Sequence, residues 1–188
     1  MIRINNLFMS FNDKTVLNDI SVKFEPGKTN LIIGRSGSGK TVLLKSIVGL
    51  HNIDSGEIWY DDILFNQLDF KSMKNIRKEI GMLFQGSALF DSLTVEQNVR
   101  FPLDMFTDQS EEEKKERVNF CLKRVNIINA NKLFPAELSG GMKKRVAIAR
   151  AISLNPRYLF CDEPNSGLDP LTAILIDELI KELTEEYM

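Results

Sequence analysis

Gly34-Arg35-Ser36-Gly37-Ser38-Gly39-Lys40-Thr41 sets Gly34 and Gly39 either side of four residues and follows them with Lys and Thr. That is the spacing of a phosphate-binding loop. Gly34, Gly37 and Gly39 let the backbone turn tightly and bring N–H groups up to phosphate oxygens. Lys40 supplies a mobile point charge for β- and γ-phosphates, and Thr41 offers a hydroxyl to Mg²⁺. Arg35, Ser36, Ser38 and Val42 complete the candidate nucleotide-binding set. Residues 29–33, Thr-Asn-Leu-Ile-Ile, read as a strand before the loop, and residues 42–49 as a helix after it. Such a helix aims the positive end of its dipole at the phosphates.

Composition narrows the class. The 188 residues suit one large domain or a core carrying an inserted subdomain. A net charge of −2 gives no electrostatic case for nucleic acid. No apolar run approaches a membrane span, and the first residues, Met1-Ile2-Arg3-Ile4-Asn5, do not form a signal peptide. Cys121 and Cys161 have no metal-ligand spacing and point to a reduced compartment. A cytosolic enzyme or nucleotide switch follows.

On the N-terminal side of the loop, residues 2–7 read as a strand, and Ile20, Val22 and Phe24 alternate as in a half-buried one. Glu25-Pro26-Gly27-Lys28 is a turn with Gly27 at positive φ. Phe11, between the two strands, reads on its own as core. On the other side, Asp54-Ser55-Gly56-Glu57 reads as a turn and residues 58–65 as a hairpin, with Trp59 packing in its sheet. His51 reads as a solvated residue near the end of the loop helix. Residues 80–84 form a short buried strand, with Gln85 at the end where open parallel sheets place ligands.

From residue 86 to 137 the pattern turns helical. Ser110 and Glu113 form a capping box, and Val118, Cys121, Leu122 and Val125 share one face of the helix that follows. The apolar residues between 88 and 106 lack one clean period. They fit either the core of a small helical subdomain or a groove for a partner helix. Ser139-Gly140-Gly141-Met142 then opens another helix with two bare amides at its start, a second anion site. Lys143-Lys144-Arg145 reads as a solvated turn of that helix.

Residues 158–163, Tyr-Leu-Phe-Cys-Asp-Glu, are an apolar strand delivering two acids to its tip. Buried carboxylates there need a cation or a proton. Asp162 suits the Mg²⁺-associated acid of a phosphate-loop NTPase, and Glu163 is placed to orient and deprotonate water. A loop, Asn165-Ser166-Gly167-Leu168-Asp169-Pro170, leads into a closing helix with Ile176, Leu179, Ile180, Leu183 and Tyr187 on one face.

Together, GRSGSGKT, Gln85, LSGGM, YLFCDE and SGLD, in this order, resemble the ATP-binding cassette ATPases over essentially the whole chain. FQGSALFDSLTVEQNVRFPL and LSGGMKKRVAIARAI look most like ATPase subunits of Mce/Mla-type phospholipid transport systems. The resemblance implies an α/β fold. A phosphate-loop NTPase core with a mostly parallel sheet would carry an N-terminal antiparallel β-subdomain and an inserted α-helical subdomain. It implies a single domain over 1–188, with the β-subdomain and loop part of the core in 1–85 and the helical subdomain in 86–137. The signature helix would then occupy 138–154, and 155–188 the remainder of the core.

The same resemblance implies residue roles. Phe11 would stack on adenine, and Lys40, Gln85 and Glu163 would serve catalysis, Gln85 linking Mg²⁺ and the attacking water to the transporter. Thr41, Gln85 and Asp162 would hold Mg²⁺. Ser139, Gly140 and Gly141 would hold the γ-phosphate of ATP on a second copy, and Asp169 would act across that interface. Met142 replaces the usual Gln of the signature. The implied partners are a second ATPase subunit, an integral membrane permease and lipid-binding accessory components, on the cytoplasmic face of the inner or plasma membrane. No nucleic acid is among them.

Family members continue past the closing helix into a strand ending in a histidine that contacts the γ-phosphate. The resemblance thus implies a chain cut short before that histidine, with part of its sheet uncovered. The alternatives are a nucleotide-binding module with little turnover and the ATPase of an importer for another substrate.

Overall fold

The computed structural model describes residues 1–187, which fall into two compact units, 1–77 and 78–187. In the first, β1 (Ile2–Phe11), β2 (Lys14–Phe24), β3 (Ser55–Tyr60) and β4 (Ile63–Leu64) form an antiparallel sheet in the order β2-β1-β3-β4. β1 buries Ile2 and Ile4, then Leu7 and Met9. The inward set moves from even to odd positions because Asn6, at φ 45°, sits in a register shift between Ile4 and Leu7. Its amide is tied down by Ser21 Oγ and its side chain by Asp19, each at 2.8 Å. Asn12 and Asp13 close the β1–β2 hairpin with Asn12 at φ 51°, as a two-residue turn requires.

α1 (Lys40–Ile47) buries Leu43, Leu44 and Ile47 in this unit, and α2 (Phe70–Lys78) follows β4 in the chain. Tyr60, on β3, donates its hydroxyl to the Ile47 carbonyl at 3.0 Å, and Ser46 meets the Met9 sulfur at 3.2 Å. Fully burying a Leu or Ile side chain contributes about 1.5–3 kcal/mol, so these residues anchor the helix that carries the loop.

Two expectations are corrected here. Residues 29–33 form no strand, and Leu31 and Ile33 stand 82% and 81% exposed. A strand exists only where neighbours pair its N–H and C=O groups, and none pairs with this stretch among the described residues. Asn30 instead ties back the turn at Glu25–Lys28, accepting from the Glu25 amide and donating to the Glu25 and Lys28 carbonyls. The turn expected to reach Glu57 gives way to strand at Ser55, which pairs with Phe8.

In the second unit, β5 (Ile80–Leu83) pairs in parallel with β6 (Tyr158–Cys161), Leu83 opposite Cys161. α3 (Val95–Phe106), α4 (Glu111–Arg124), α5 (Gly140–Ala151) and α6 (Pro170–Tyr187) share one core with them. Val99 and Leu103 of α3, Val118, Cys121 and Leu122 of α4, Val146 and Ile148 of α5, and Ile176 and Leu183 of α6 are its centre. Thr94 and Ser110 both close capping boxes, which fixes where α3 and α4 begin. The expected face of α6 is buried at Ile176, Leu179 and Leu183; the side chain of Tyr187 lies outside the described residues. α3 bears out the core reading of its segment at three positions. Val95, Val99 and Leu103 are core, while Phe101 and Met105 are exposed on another flank.

Candidate functional site

The first unit presents the phosphate loop at the head of α1. Gly39 is the N-cap at φ 94°, with no side-chain cap, and a Cβ there would come within 3.2 Å of the Val16 carbonyl. Only glycine meets both demands. A Cβ at Gly34 would lie 2.7 Å from Ser38 Oγ, so the loop closes tightly on itself. Lys40 folds back over it and donates to the carbonyls of Gly34 at 3.0 Å and Arg35 at 3.1 Å. Those bonds hold the ammonium at the loop, where phosphate oxygens would replace the carbonyls. Thr41 and Val42 follow in the first turn of α1. Phe11 ends β1 and is 44% exposed, so the core reading of this ring does not hold. Its ring meets that of His51 edge-on at 5.5 Å.

The second unit gathers Gln85, Asp162 and Glu163. Asp162 is buried directly after β6, and its amide donates to the Leu83 carbonyl at 2.9 Å, continuing the parallel ladder by one bond. Glu163 then turns out of the strand with φ 47°. A left-handed conformation costs a non-glycine residue about 1–2 kcal/mol, and it swings the side chain off the strand. Gln85 Nε2 donates to Glu163 Oε2 at 2.6 Å.

Ser139 caps α5, its hydroxyl accepting from the Met142 amide at 3.2 Å. Gly140 and Gly141 form the first turn, where helix amides have no partner within the helix. They lie against the loop that follows Glu163. A Cβ on Gly141 would come 2.7 Å from Thr172, and one on Gly140 would touch Leu168 at 3.6 Å. Asp169 caps α6 by accepting from the Thr172 amide at 3.0 Å, and hydrogen bonds from the Thr172 side chain and then its amide hold the carboxyl below its ordinary value.

One participant was misread from sequence. Lys144 is not solvated but 4% exposed, and its ammonium donates to the Gln85 carbonyl. A signal for this existed: Ala147, Ile148 and Ala151, three, four and seven residues on, are all buried on the same face of α5. Burial also pulls its pKa down, against the pull of Asp162, Cys161 and Glu163.

The donors suit Mg²⁺. Thr41 offers a hydroxyl, Asp162 a carboxylate, and Gln85, its nitrogen engaged on Glu163, a carbonyl oxygen. Mg²⁺ takes few such hard oxygens from protein beside phosphates and water.

Similar proteins fit this set of features. The family described as ABC transporter matches residues 17–166. A methionine import ATP-binding protein of Carboxydothermus hydrogenoformans is 42% identical over 99% of this chain and 56% of its own length. A probable ribonucleotide transport ATP-binding protein of Mycobacterium tuberculosis is 37% identical over 98% of this chain and 52% of its own. The chain thus spans about half the length of these curated relatives. Two solved dimeric structures of the cassette MJ0796 superpose with TM-scores of 0.91 and 0.89, at 34% and 35% identity. Each covers 99% of this chain and 84% of that one, and the second is a post-hydrolysis state bound to ADP and Pi.

Proposed function

The chain belongs to the ABC transporter family, and from that premise we propose that it binds and hydrolyses ATP to drive a membrane permease. The observation that carries this reading is Glu163, turned off the tip of β6 beside a buried Asp162 and met by the Gln85 amide at 2.6 Å. An NTPase needs such a pairing of a base with a residue that orients water.

Each side chain has a role in the proposed reaction. Phe11 stacks on the adenine. The loop from Gly34 to Thr41, with Val42, cradles the phosphates, and Lys40 exchanges its carbonyl partners for β- and γ-phosphate oxygens. Of the residues that would hold Mg²⁺, Thr41 belongs to the first unit and Gln85 and Asp162 to the second. When bound, the ion offsets the negative charge on the phosphates. Glu163 takes the proton of the attacking water, and Gln85 orients that water. Ser139, Gly140 and Gly141 donate to the γ-phosphate of ATP held by a second copy, with Asp169 beside them. MJ0796, which is dimeric, supports the pairing of two copies.

The permease would dock on the flank where the Phe90 and Phe101 rings meet at 4.8 Å, tilted by 50°, and Met105 is 54% exposed. On this reading the protein works on the cytoplasmic face of a membrane, with lipid-binding components further along the path. Phospholipid is the proposed cargo, supported by Met142 in the signature and by the segment from Phe84 to Leu103. The 42% identity to a methionine import protein favours a second reading, an amino-acid importer.

Phosphate release by the purified protein and by Glu163→Gln tests the central activity. Removing a general base costs about 10²–10⁴-fold in rate. Equal rates in the two proteins would remove Glu163 from the reaction. Lipid or methionine recovered with the membrane complex then decides between the cargoes.

A further inference from the structure

Two cations of α5, Lys144 and Arg150, end on the loop after β5. Lys144 donates to the Gln85 carbonyl and, at 3.4 Å, to the Glu163 carbonyl. Arg150 donates to the Ser87 carbonyl at 2.9 Å and to the Ala88 carbonyl at 2.7 Å. The residues it holds are in left-handed conformations, Ser87 at φ 65° and Ala88 at φ 48°. A loop in such backbone keeps its shape only where its surroundings over-determine it.

Lys144 is the more telling of the two. A buried ammonium is costly, and an apolar side chain of similar length would sit on this helix face at no such cost. What the amine adds is one point that grips two backbones. Gln85 and Glu163 are 78 residues apart in sequence, their side chains touch, and Lys144 holds the carbonyl of each. Lys144 also lies five residues from Ser139, on the same short helix.

We propose that Lys144 is a positioning residue: it sets Gln85 and Glu163 in register and ties that register to the start of α5. This rests on the ATPase reading above. Any shift of α5 when Ser139 and Gly141 engage a phosphate is passed to the amide and the carboxylate through one amine, without Lys144 touching nucleotide.

The test is a set of kinetic variants of the purified protein. Lys144→Met keeps the length of the side chain and removes the ammonium, whereas Lys144→Gln keeps a donor for the carbonyls. With Met, kcat for ATP hydrolysis should fall at least tenfold while KM and ATP affinity stay within about twofold. With Gln, kcat should recover to within about threefold of the wild type. On a Gln85→Ala background the carbonyl that Lys144 grips remains but the side-chain amide it positions against Glu163 is gone, so Lys144→Met should cost less than about threefold. Wild-type kcat in Lys144→Met, or a tenfold loss that persists on the Gln85→Ala background, overturns the proposal. If Lys144→Met does not fold, Lys144→Ala decides: no loss, or a tenfold loss equal on both backgrounds, overturns it, and a loss confined to the Gln85 protein supports it. A wild-type protein that releases no phosphate overturns the ATPase reading itself, which the variants alone cannot do.

Discussion

The Gln85 amide and the Glu163 carboxylate meet at 2.6 Å, the one from the loop after β5 and the other from the turn after β6. Because the two strands are parallel neighbours with Leu83 opposite Cys161, both residues leave the same end of the sheet. A charge-assisted bond of this kind is among the stronger hydrogen bonds in a protein. It fixes one carboxylate oxygen and leaves Oε1 to take the proton of an attacking water in the proposed reaction.

Gly39→Ala and Gly140→Ala should behave differently. At Gly39 the added Cβ meets Leu17 and Val16 at 3.1–3.3 Å with φ at 94°. A left-handed non-glycine costs about 1–2 kcal/mol, or roughly 2–8 °C in melting temperature for a chain of this size. ATP affinity should fall with it. At Gly140 the Cβ makes an ordinary contact at 3.6 Å, so melting should stay put while turnover is lost. Thermal unfolding of both variants checks this, and equal melting temperatures would contradict it.

Phe11→Ala should weaken ATP binding. Stacking of a base on an aromatic ring contributes about 1–3 kcal/mol, which is roughly a 5- to 150-fold change in affinity. Phe11→Trp should bind as well as the wild type. Titration calorimetry is the measurement, and an alanine variant within twofold of the wild type would take Phe11 out of the site.

Glu113 gives the fold a pH dependence. Its carboxylate accepts from the Ser110 amide at 2.7 Å, which holds its pKa below the ordinary 4.5. The unfolded chain therefore binds more protons between the two values. The contribution is present in full above about pH 4.5 and is lost as pH falls through the folded value. Glu113→Gln keeps an acceptor without the titration, so its melting temperature should drop less than the wild type's between pH 6 and 3. Identical drops would contradict the linkage.

The parts legible in the sequence are those decided by local chemistry. The Ser110 box, the Gly27 turn and the half-buried alternation of Ile20, Val22 and Phe24 all appear where their residues place them. What failed depended on distant neighbours. Leu31 and Ile33 carry the residue types of a strand, yet pairing is a property of two segments, and no partner lies beside them among the described residues. Lys144 failed for a similar reason. A lysine in a basic run is normally solvated, and its burial follows from carbonyls contributed by Gln85 and Glu163, far away in sequence. For Phe11, exposure removed the core reading, and periodicity could not supply it.

The central claim is that the loop of one copy and the Ser139 helix of another enclose the same ATP. Each cradle seeks an anion, and one triphosphate needs only one of them within a single chain. The assembly must then be isologous, with two sites or none, and it must depend on ATP. Sedimentation of the Glu163→Gln protein, with and without ATP–Mg²⁺ and with and without Ser139→Arg, tests this directly. A dimer is predicted only with ATP and an intact Ser139, while Ser139→Arg leaves ATP binding by the single chain nearly unchanged. A dimer that forms equally in all four conditions would contradict it.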